Sequence, residues 1–160
     1  MNYKTTPRGI RNNNPLNIRY NKNNNWIGKL LPDPEFEVFT TQWHGIRAAF
    51  VLLKNYMTKF KCDTIEKIIT KWAPPSENNT EGYIAHVSNM VGIPRSYPLT
   101  FGGSPKYVMK ILLAMAKMES GVDLEKWQVV NAYYAVLWGF ISSITTAKRM
   151  EEMGIDPENI

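Results

Sequence analysis

Apolar residues recur at helical spacing in four stretches of this 160-residue chain, and this periodicity constrains its fold more than any other feature. The stretches run from 44 to 60, from 65 to 72, from 80 to 91 and from 105 to 120. Three of them are followed by residues that end helices, namely Pro74-Pro75, Gly92 and Gly121. Ser104-Pro105 provides a typical start for the fourth. The pattern predicts a mainly helical chain.

A small β element is predicted before the first long helix. Residues 26–31 and 35–40 are short β-like runs, and they flank Pro32-Asp33-Pro34. Two such runs around a proline-rich turn predict a hairpin. The expected fold class is therefore mainly α with a small β-hairpin (α+β).

The C-terminal part of the chain contains a run without charge, from 127 to 147. A helix over this run would be long enough to span a bilayer. It also contains polar residues such as Gln128 and Asn131, which are costly in lipid and compatible with a buried helix of the protein core. We predict a main domain over 1–125 and a helical extension over 126–160, which either packs on that domain or contacts a membrane through 127–147.

Several function classes are disfavoured by residues that the chain lacks. Its single cysteine, Cys62, excludes an internal disulfide framework, and its two histidines, His44 and His86, do not suggest a metal site. Neither glycine-rich phosphate-binding motif occurs, so no nucleotide cofactor is expected. The first 14 residues lack the apolar stretch of a secretory signal. We therefore predict no cofactor, no metal and synthesis in the cytoplasm.

Positive charge is concentrated near the N-terminus. Six of the nineteen basic residues precede the first acidic residue, Asp33, and the remaining 128 residues are close to neutral. Such a segment suits an anionic partner: nucleic acid, anionic lipid or a cell-wall polymer. No recognition-helix signature is present, so no specific nucleic acid is expected. Nine asparagines in the first 25 residues suit hydrogen bonds to a sugar, although they also suit a solvated loop.

Glu119 is the candidate general acid. It follows Leu112 by seven residues and Met115 by four, so it lies on the apolar face of its helix, at the C-terminal end. Partial burial and the negative end of the helix dipole both raise the pKa of a carboxyl group. A carboxylic acid that stays protonated near neutral pH can protonate a leaving group. The alternatives are a surface glutamate beside Lys117 and a glutamate that caps a neighbouring helix.

Several distinctive motifs follow one another along the chain. The longest are RGIRNNNPLNIR at 8–19 and TIEKIITKWAPPSENNTEGYIAHV at 64–87. The first resembles the opening, and the second the central signature, of a small family of phage proteins that are usually labelled virion, structural or lysozyme-like proteins. Shorter matches follow in the same order, at Trp26-Ile27-Gly28, at Asp33-x-x-Phe36-x-x-Phe39 and at Gly45-Ile46-Arg47-Ala48. The resemblance extends over residues 8–121.

Two motifs also resemble enzymes that cleave the glycan strands of peptidoglycan. Glu119-Ser120-Gly121 resembles the catalytic segment of lysozyme-like muramidases and lytic transglycosylases. NNPLNIRYNKNNNWIG at 13–28 resembles a stretch of flagellar-type glucosaminidases. In those enzymes the glutamate helix precedes the asparagine stretch, whereas here it follows. The resemblance implies a lysozyme-like domain, and a circular permutation would explain the reversed order.

The resemblance implies roles for ten residues. Glu119 would be the general acid, Asp33 a second carboxylate and Tyr83 a residue that orients the acid. The implied substrate-binding residues are Asn14, Asn17, Arg19, Trp26, Glu77, Asn78 and Thr80. Structural roles are alternatives for several of them: Asp33 as a turn residue, Tyr83 and Trp26 as packing residues, and Asn78 and Thr80 as turn and cap residues.

The partners that the resemblance implies are peptidoglycan glycan strands and other virion proteins. The site of action would be the virion or the periplasm and cell wall of a host bacterium. The competing interpretation is a virion structural protein with a lysozyme-like fold and no catalytic activity, because a fold does not determine a function.

Overall fold

The computed structural model describes residues 6–160, and Lys4 of the basic segment lies outside them. Seven helices make up most of the described chain, which confirms the mainly helical prediction. They are α1 (Arg8–Arg11), α2 (Gln42–Thr58), α3 (Ile65–Trp72), α4 (Thr80–Val91), α5 (Pro105–Ser120), α6 (Lys126–Trp138) and α7 (Ser143–Glu152).

Local sequence signals set the helix boundaries. The side chains of Thr41, Thr64 and Asn79 accept hydrogen bonds from backbone N–H groups in the first turns of α2, α3 and α4. At the other end, Gly92 and Gly121 adopt φ of 80° and 67° and end α4 and α5 in the left-handed conformation. The predicted bounds of α4 and α5 are thereby confirmed.

The predicted hairpin does not form. Among residues 6–160 the structure contains only two isolated antiparallel bridges, between Arg19 and Phe36 and between Lys29 and Phe39. The backbone N–H groups of 35–40 donate to carbonyls of several different segments. Glu37 donates to Ile18 and Phe39 donates to Asn12, both outside the expected hairpin. Thr40 donates to Gly28, which lies in the opposite run. Prolines 32 and 34 also lack the N–H groups that a ladder needs at the turn. The two runs therefore pair only around Lys29 and Phe39, and no continuous ladder forms between them.

The charge-free run from 127 to 147 is divided between two helices. α6 ends at Trp138 because Gly139 adopts φ 78°, and Ser142 then caps α7. The polar residue Asn131 is buried, where its side chain accepts a hydrogen bond from Trp43 Nε1 at 2.9 Å and donates one to Ser143 O at 3.0 Å. Within residues 6–160, no helix combines the length and apolar character that crossing a membrane requires.

The hydrophobic core is continuous from the first long helix to α6. α6 packs against α2, α5 and α7, and α4 packs against α5. Tyr133 of α6 is fully buried against the rings of Phe50 and Phe101, and its hydroxyl donates to Phe101 O. This packing fixes α5, the helix that carries Glu119, between α4 and α6.

Gly45 of α2 allows the N-terminal segment to lie directly on this helix. A Cβ atom at Gly45 would overlap the backbone carbonyl of Asn13, which cannot move as a flexible side chain can. We therefore expect Gly45→Ala to destabilise the protein by about 1–3 kcal/mol, as overpacking does. Gly102→Ala is the matched control, because its Cβ would meet only the Leu137 side chain at 3.4 Å. Urea unfolding of both variants measures the difference, and equal stabilities would contradict the account.

Candidate active site

Glu119 lies in the last turn of α5, where the N-terminal segment docks. Ser120 Oγ donates a hydrogen bond to Pro15 O at 2.7 Å, and Asn17 Nδ2 donates to the backbone carbonyl of Glu119 at 3.0 Å. Asn17 adopts φ 51°, a conformation that asparagine tolerates better than most residues. These contacts join chain segments more than 100 residues apart and fix the end of α5.

The carboxyl group of Glu119 is half-buried and faces Tyr83 of α4. Tyr83 Oη donates a hydrogen bond to Glu119 Oε2 at 3.2 Å. Burial raises the pKa of Glu119 above its ordinary value, although hydrogen bonding from Tyr83, Asn17 and Trp72 and the charge of Arg19 act in the opposite direction. The net effect is a raised pKa, which is the direction that the position of Glu119 on the apolar face predicts.

Tyr83 is a hydrogen-bond donor at this site. Its side chain is buried, and burial raises the pKa of its hydroxyl well above the ordinary range, with further contributions from the charge and hydrogen bond of Glu119. The hydroxyl therefore remains protonated. Tyr83 can orient the carboxyl group of Glu119 but cannot act as a base.

Two adjoining cavities of about 570 Å³ and 440 Å³ share Glu119 and Asn78 in their walls, and we call them together the Glu119 cleft. The larger cavity lies on the side of the N-terminal segment and α3, and the smaller on the side of α4. Besides the shared residues, the cleft is lined by Asn17, Ile18, Arg19, Tyr20, Asn21, Asn24, Phe36, Leu52, Tyr56, Lys71, Trp72, Ala73, Pro74, Glu77, Asn79, Gly82, Tyr83 and Met118.

The walls of this cleft suit a polar ligand with apolar faces. Asparagine side chains supply both donors and acceptors for hydroxyl and amide groups. Tyr56 and Trp72 form an edge-to-face pair with ring centroids 6.1 Å apart, which offers aromatic surface to a sugar ring. A concave site that combines apolar surface with a few polar groups and a perturbed acid is typical of a binding or active site.

Six of the ten predicted site residues meet in this cleft. They are Glu119, Tyr83, Asn17, Arg19, Glu77 and Asn78. The side chain of Arg19 is 72% exposed, and Glu77 and Asn78 are exposed on the segment that leads into α4. The structure therefore places two carboxyl groups, one orienting hydroxyl and three other polar side chains around a single cavity system.

Asn14 and Thr80 are buried, so neither can contact a substrate. The Asn14 amide donates to the backbone carbonyls of Ile18 and Glu37 and accepts from the N–H of Ile18. Thr80 Oγ1 donates to Ala73 O at 2.5 Å. Both side chains form hydrogen bonds with buried backbone groups. The structure therefore gives them a structural role in place of the predicted contact with substrate.

Trp26 is half-buried against the hydrophobic core and does not line the cleft. Its indole nitrogen is buried without a hydrogen-bond partner among the described residues. The structure thus favours the packing role that the sequence left open for Trp26.

Asp33 also lies outside the lining of the cleft, and its oxygens are occupied by other groups. Oδ2 accepts from Arg8 Nε at 2.7 Å and from Asn12 Nδ2 at 2.6 Å, and Oδ1 accepts from the N–H groups of Glu35 and Phe36. Burial opposes ionisation, but these hydrogen bonds outweigh it and lower the pKa of Asp33 far below its ordinary value. Asp33 organises the turn between Pro32 and Pro34.

The aromatic and basic walls of the cleft are not predicted by the sequence. Trp72 follows Ile65, Ile68 and Ile69 at helical spacing, which predicts a packing role, and no role is predicted for Tyr56. Lys71 lies beside Trp72, but nothing in the sequence indicates that it turns toward the cleft. The Trp-Ala-Pro-Pro motif at 72–75 is the one sequence feature that could have indicated that Trp72 lines the cleft.

We expect Tyr83→Phe to move the pH dependence of the site. Removing the hydroxyl removes a hydrogen bond that stabilises the Glu119 carboxylate, so the pKa of Glu119 rises further. Any reaction that needs protonated Glu119 should then continue to higher pH than in the wild type. The measurement is the pH–rate profile of both proteins, and an unchanged or acid-shifted profile would show that Tyr83 does not act on Glu119.

No cluster of three or more His, Cys, Asp or Glu side chains suitable for a metal ion occurs in residues 6–160.

Comparison with known proteins confirms the resemblance to phage proteins. No protein-family model matches the chain. The chain is 41% identical to Protein P5 of Pseudoalteromonas phage PM2 over 137 residues, which cover 83% of this chain and 82% of that protein. The chain therefore belongs to the family of Protein P5 from Pseudoalteromonas phage PM2.

Proposed function

We propose that this phage protein cleaves glycosidic bonds in the glycan strands of peptidoglycan, with Glu119 as the general acid. The observation that carries the proposal is the half-buried Glu119 carboxyl, whose pKa is raised in a cleft lined by amide and aromatic groups. Glycosidases need an acid of this kind, because the glycosidic oxygen must receive a proton as it leaves.

In the proposed reaction the proton of Glu119 passes to the glycosidic oxygen while the bond between that oxygen and the anomeric carbon breaks. Tyr83 donates to Oε2, which leaves Oε1 to carry the transferred proton. The sugar cation that develops is then captured by water, which yields a reducing end, or by a hydroxyl of the same sugar, which yields an anhydro end. In the second case the hydroxyl gives its proton to the Glu119 carboxylate, which restores the acid. Glu77 is the other carboxylate in the cleft and could accept the proton of an attacking water.

We further propose that the main domain is lysozyme-like and circularly permuted. The motif resemblance of the asparagine stretch and the glutamate helix supports this, because the two occur in reversed order along the chain. The hydrogen bonds from Asn17 and Ser120 support it too, because they bring the two motifs together at one cleft in spite of that order. Action from the virion or in the periplasm, beside other virion proteins, is part of the same proposal.

The test is a digestion of purified peptidoglycan by the wild-type chain, followed by end-group analysis. We expect soluble saccharide–peptide fragments with new saccharide ends. Reducing ends would indicate hydrolysis, and anhydro ends would indicate intramolecular transfer. Release of peptides without new saccharide ends, or no release by a folded protein, would contradict the proposal and favour a structural role in the virion.

A further inference from the structure

A second groove adjoins the Glu119 cleft at Lys71. It measures about 900 Å³ and lies between the end of α2 and the outer face of α3. Lys71 lines both this groove and the cleft, so the two surfaces are continuous. We call it the lysine groove, after Lys61, Lys67 and Lys71 in its wall.

The lysine groove carries unbalanced positive charge. Lys67 is paired with Asp63 at 3.0 Å, and the one carboxylate in the groove wall, Glu66, is paired with Arg95 at 3.1 Å. Lys61 and Lys71 have no carboxylate within ion-pair distance among residues 6–160. The two free ammonium groups favour an anionic ligand, and the exposed position of both residues leaves them accessible.

An aromatic strip leads from the cleft into this groove. Tyr56 pairs with Trp72 inside the cleft, and Lys71 Nζ lies 5.2 Å from the centroid of the Tyr56 ring. The same ammonium lies 4.1 Å from the Phe60 ring, which is 59% exposed in the lysine groove. Cation–π contact with both rings holds Lys71 at the junction of the two surfaces.

We propose that the lysine groove binds the carboxylates of the peptide stems that branch from a glycan strand held in the Glu119 cleft. This inference rests on the proposed function and specifies its substrate. The sugars of a glycan carry no charge while their lactyl carboxyls are bound in amides to the stems, whereas the free carboxylates of the stems are anionic at neutral pH. A branched substrate would fill both surfaces at once, with its sugars beside Glu119 and its stem across Lys71 toward Lys61.

Calorimetry with two saccharides tests the inference. One is a disaccharide–peptide prepared from peptidoglycan, and the other is the same compound after the free carboxylates of its stem have been converted to amides. The full-length Glu119→Gln variant is used, so that neither ligand is cleaved. Two exposed ion pairs contribute modestly in water, so we expect the stem carboxylates to strengthen binding about three- to tenfold at low salt and less at high salt.

The double variant Lys61→Gln/Lys71→Gln should lose this preference for the stem. The control Lys106→Gln/Lys148→Gln, which removes two exposed lysines elsewhere, should keep it. If Glu119→Gln binds both saccharides with equal affinity while the wild type cleaves peptidoglycan, the inference is overturned and the proposed function stands. Absence of both binding and cleavage would overturn the proposed function together with it. If the protein binds phosphatidylglycerol vesicles through Lys61 and Lys71 and shows no preference for the stem, the inference is overturned and the ligand of the groove is a lipid surface.

Discussion

Replacing Glu119 by glutamine is expected to lower the rate of glycan cleavage by about 10²–10⁴-fold, the usual contribution of a general acid. Glutamine keeps the size of the side chain and an oxygen that can accept the Tyr83 hydrogen bond, but its amide cannot donate an acidic proton. Thermal melting of the variant should therefore remain close to that of the wild type. Initial rates of fragment release from peptidoglycan measure the effect.

Glu77→Gln is the matched control, since it alters the other carboxylate of the same cleft. If the sugar's own hydroxyl captures the cation, this variant keeps most of its activity. If water captures the cation and Glu77 is the base, the variant loses activity. Retained activity in Glu77→Gln would show that the loss in Glu119→Gln is not a general effect of removing negative charge from the cleft. A Glu119→Gln variant with the rate of the wild type would remove Glu119 from the mechanism.

The wild-type rate should depend on pH through the same group. The active form of Glu119 is protonated, and burial raises the pKa of its carboxyl. The fraction of active enzyme is therefore high below that raised pKa and decreases as the pH rises through it. The raised pKa extends activity to higher pH than an ordinary exposed glutamate would allow.

The second large effect is expected at Lys29, whose loss should destabilise the fold by about 3–5 kcal/mol in the variant Lys29→Met. Its ammonium lies 3.1 Å from Oε2 of the fully buried Glu37 and donates hydrogen bonds to the carbonyls of Asn21 and Asn24. Neither Glu37 oxygen accepts a hydrogen bond from another described residue. Without Lys29, a buried carboxylate would remain with no compensating charge.

The double variant Lys29→Met/Glu37→Leu should recover part of that loss, because no unpaired charge then remains inside. Lys117→Met is the control: Lys117 pairs with Asp123 at 3.2 Å on the surface, and such pairs contribute at most about 1 kcal/mol. Urea unfolding of the variants gives the free energies. A double variant no more stable than Lys29→Met would show that the two charges are not coupled.

Local signals allowed the sequence to predict α4 and α5 closely. Each helix has a start and a stop within its own few residues, and capping depends on those residues alone. The position of Glu119 on the buried face follows from the same periodicity. Gly139 is a comparable stop signal, but the absence of charge from 127 to 147 suggested one continuous helix. The left-handed backbone conformation of Gly139 ends the helix at Trp138, although no charged residue interrupts the run.

Contacts between distant segments account for the differences between these predictions and the structure. Within 26–40 a continuous hairpin is interrupted because Glu37 and Phe39 donate to residues 18 and 12, which no local pattern contains. Asp33 was predicted as a catalytic group, but Arg8 and Asn12 reach it from more than 20 residues away. Asn14 appeared suited to sugar binding, yet its amide is used by buried carbonyls. Such partners depend on tertiary packing, which residue type and spacing do not reveal.

The central claim is that Glu119 breaks a glycan strand, and one experiment tests it most directly. The same peptidoglycan is digested in parallel with wild type and with folded Glu119→Gln, and the soluble products are identified by mass spectrometry. The account predicts saccharide fragments with new chain ends from the wild type and almost none from the variant. Equal fragments from both proteins, or none from either while both remain folded, would contradict it.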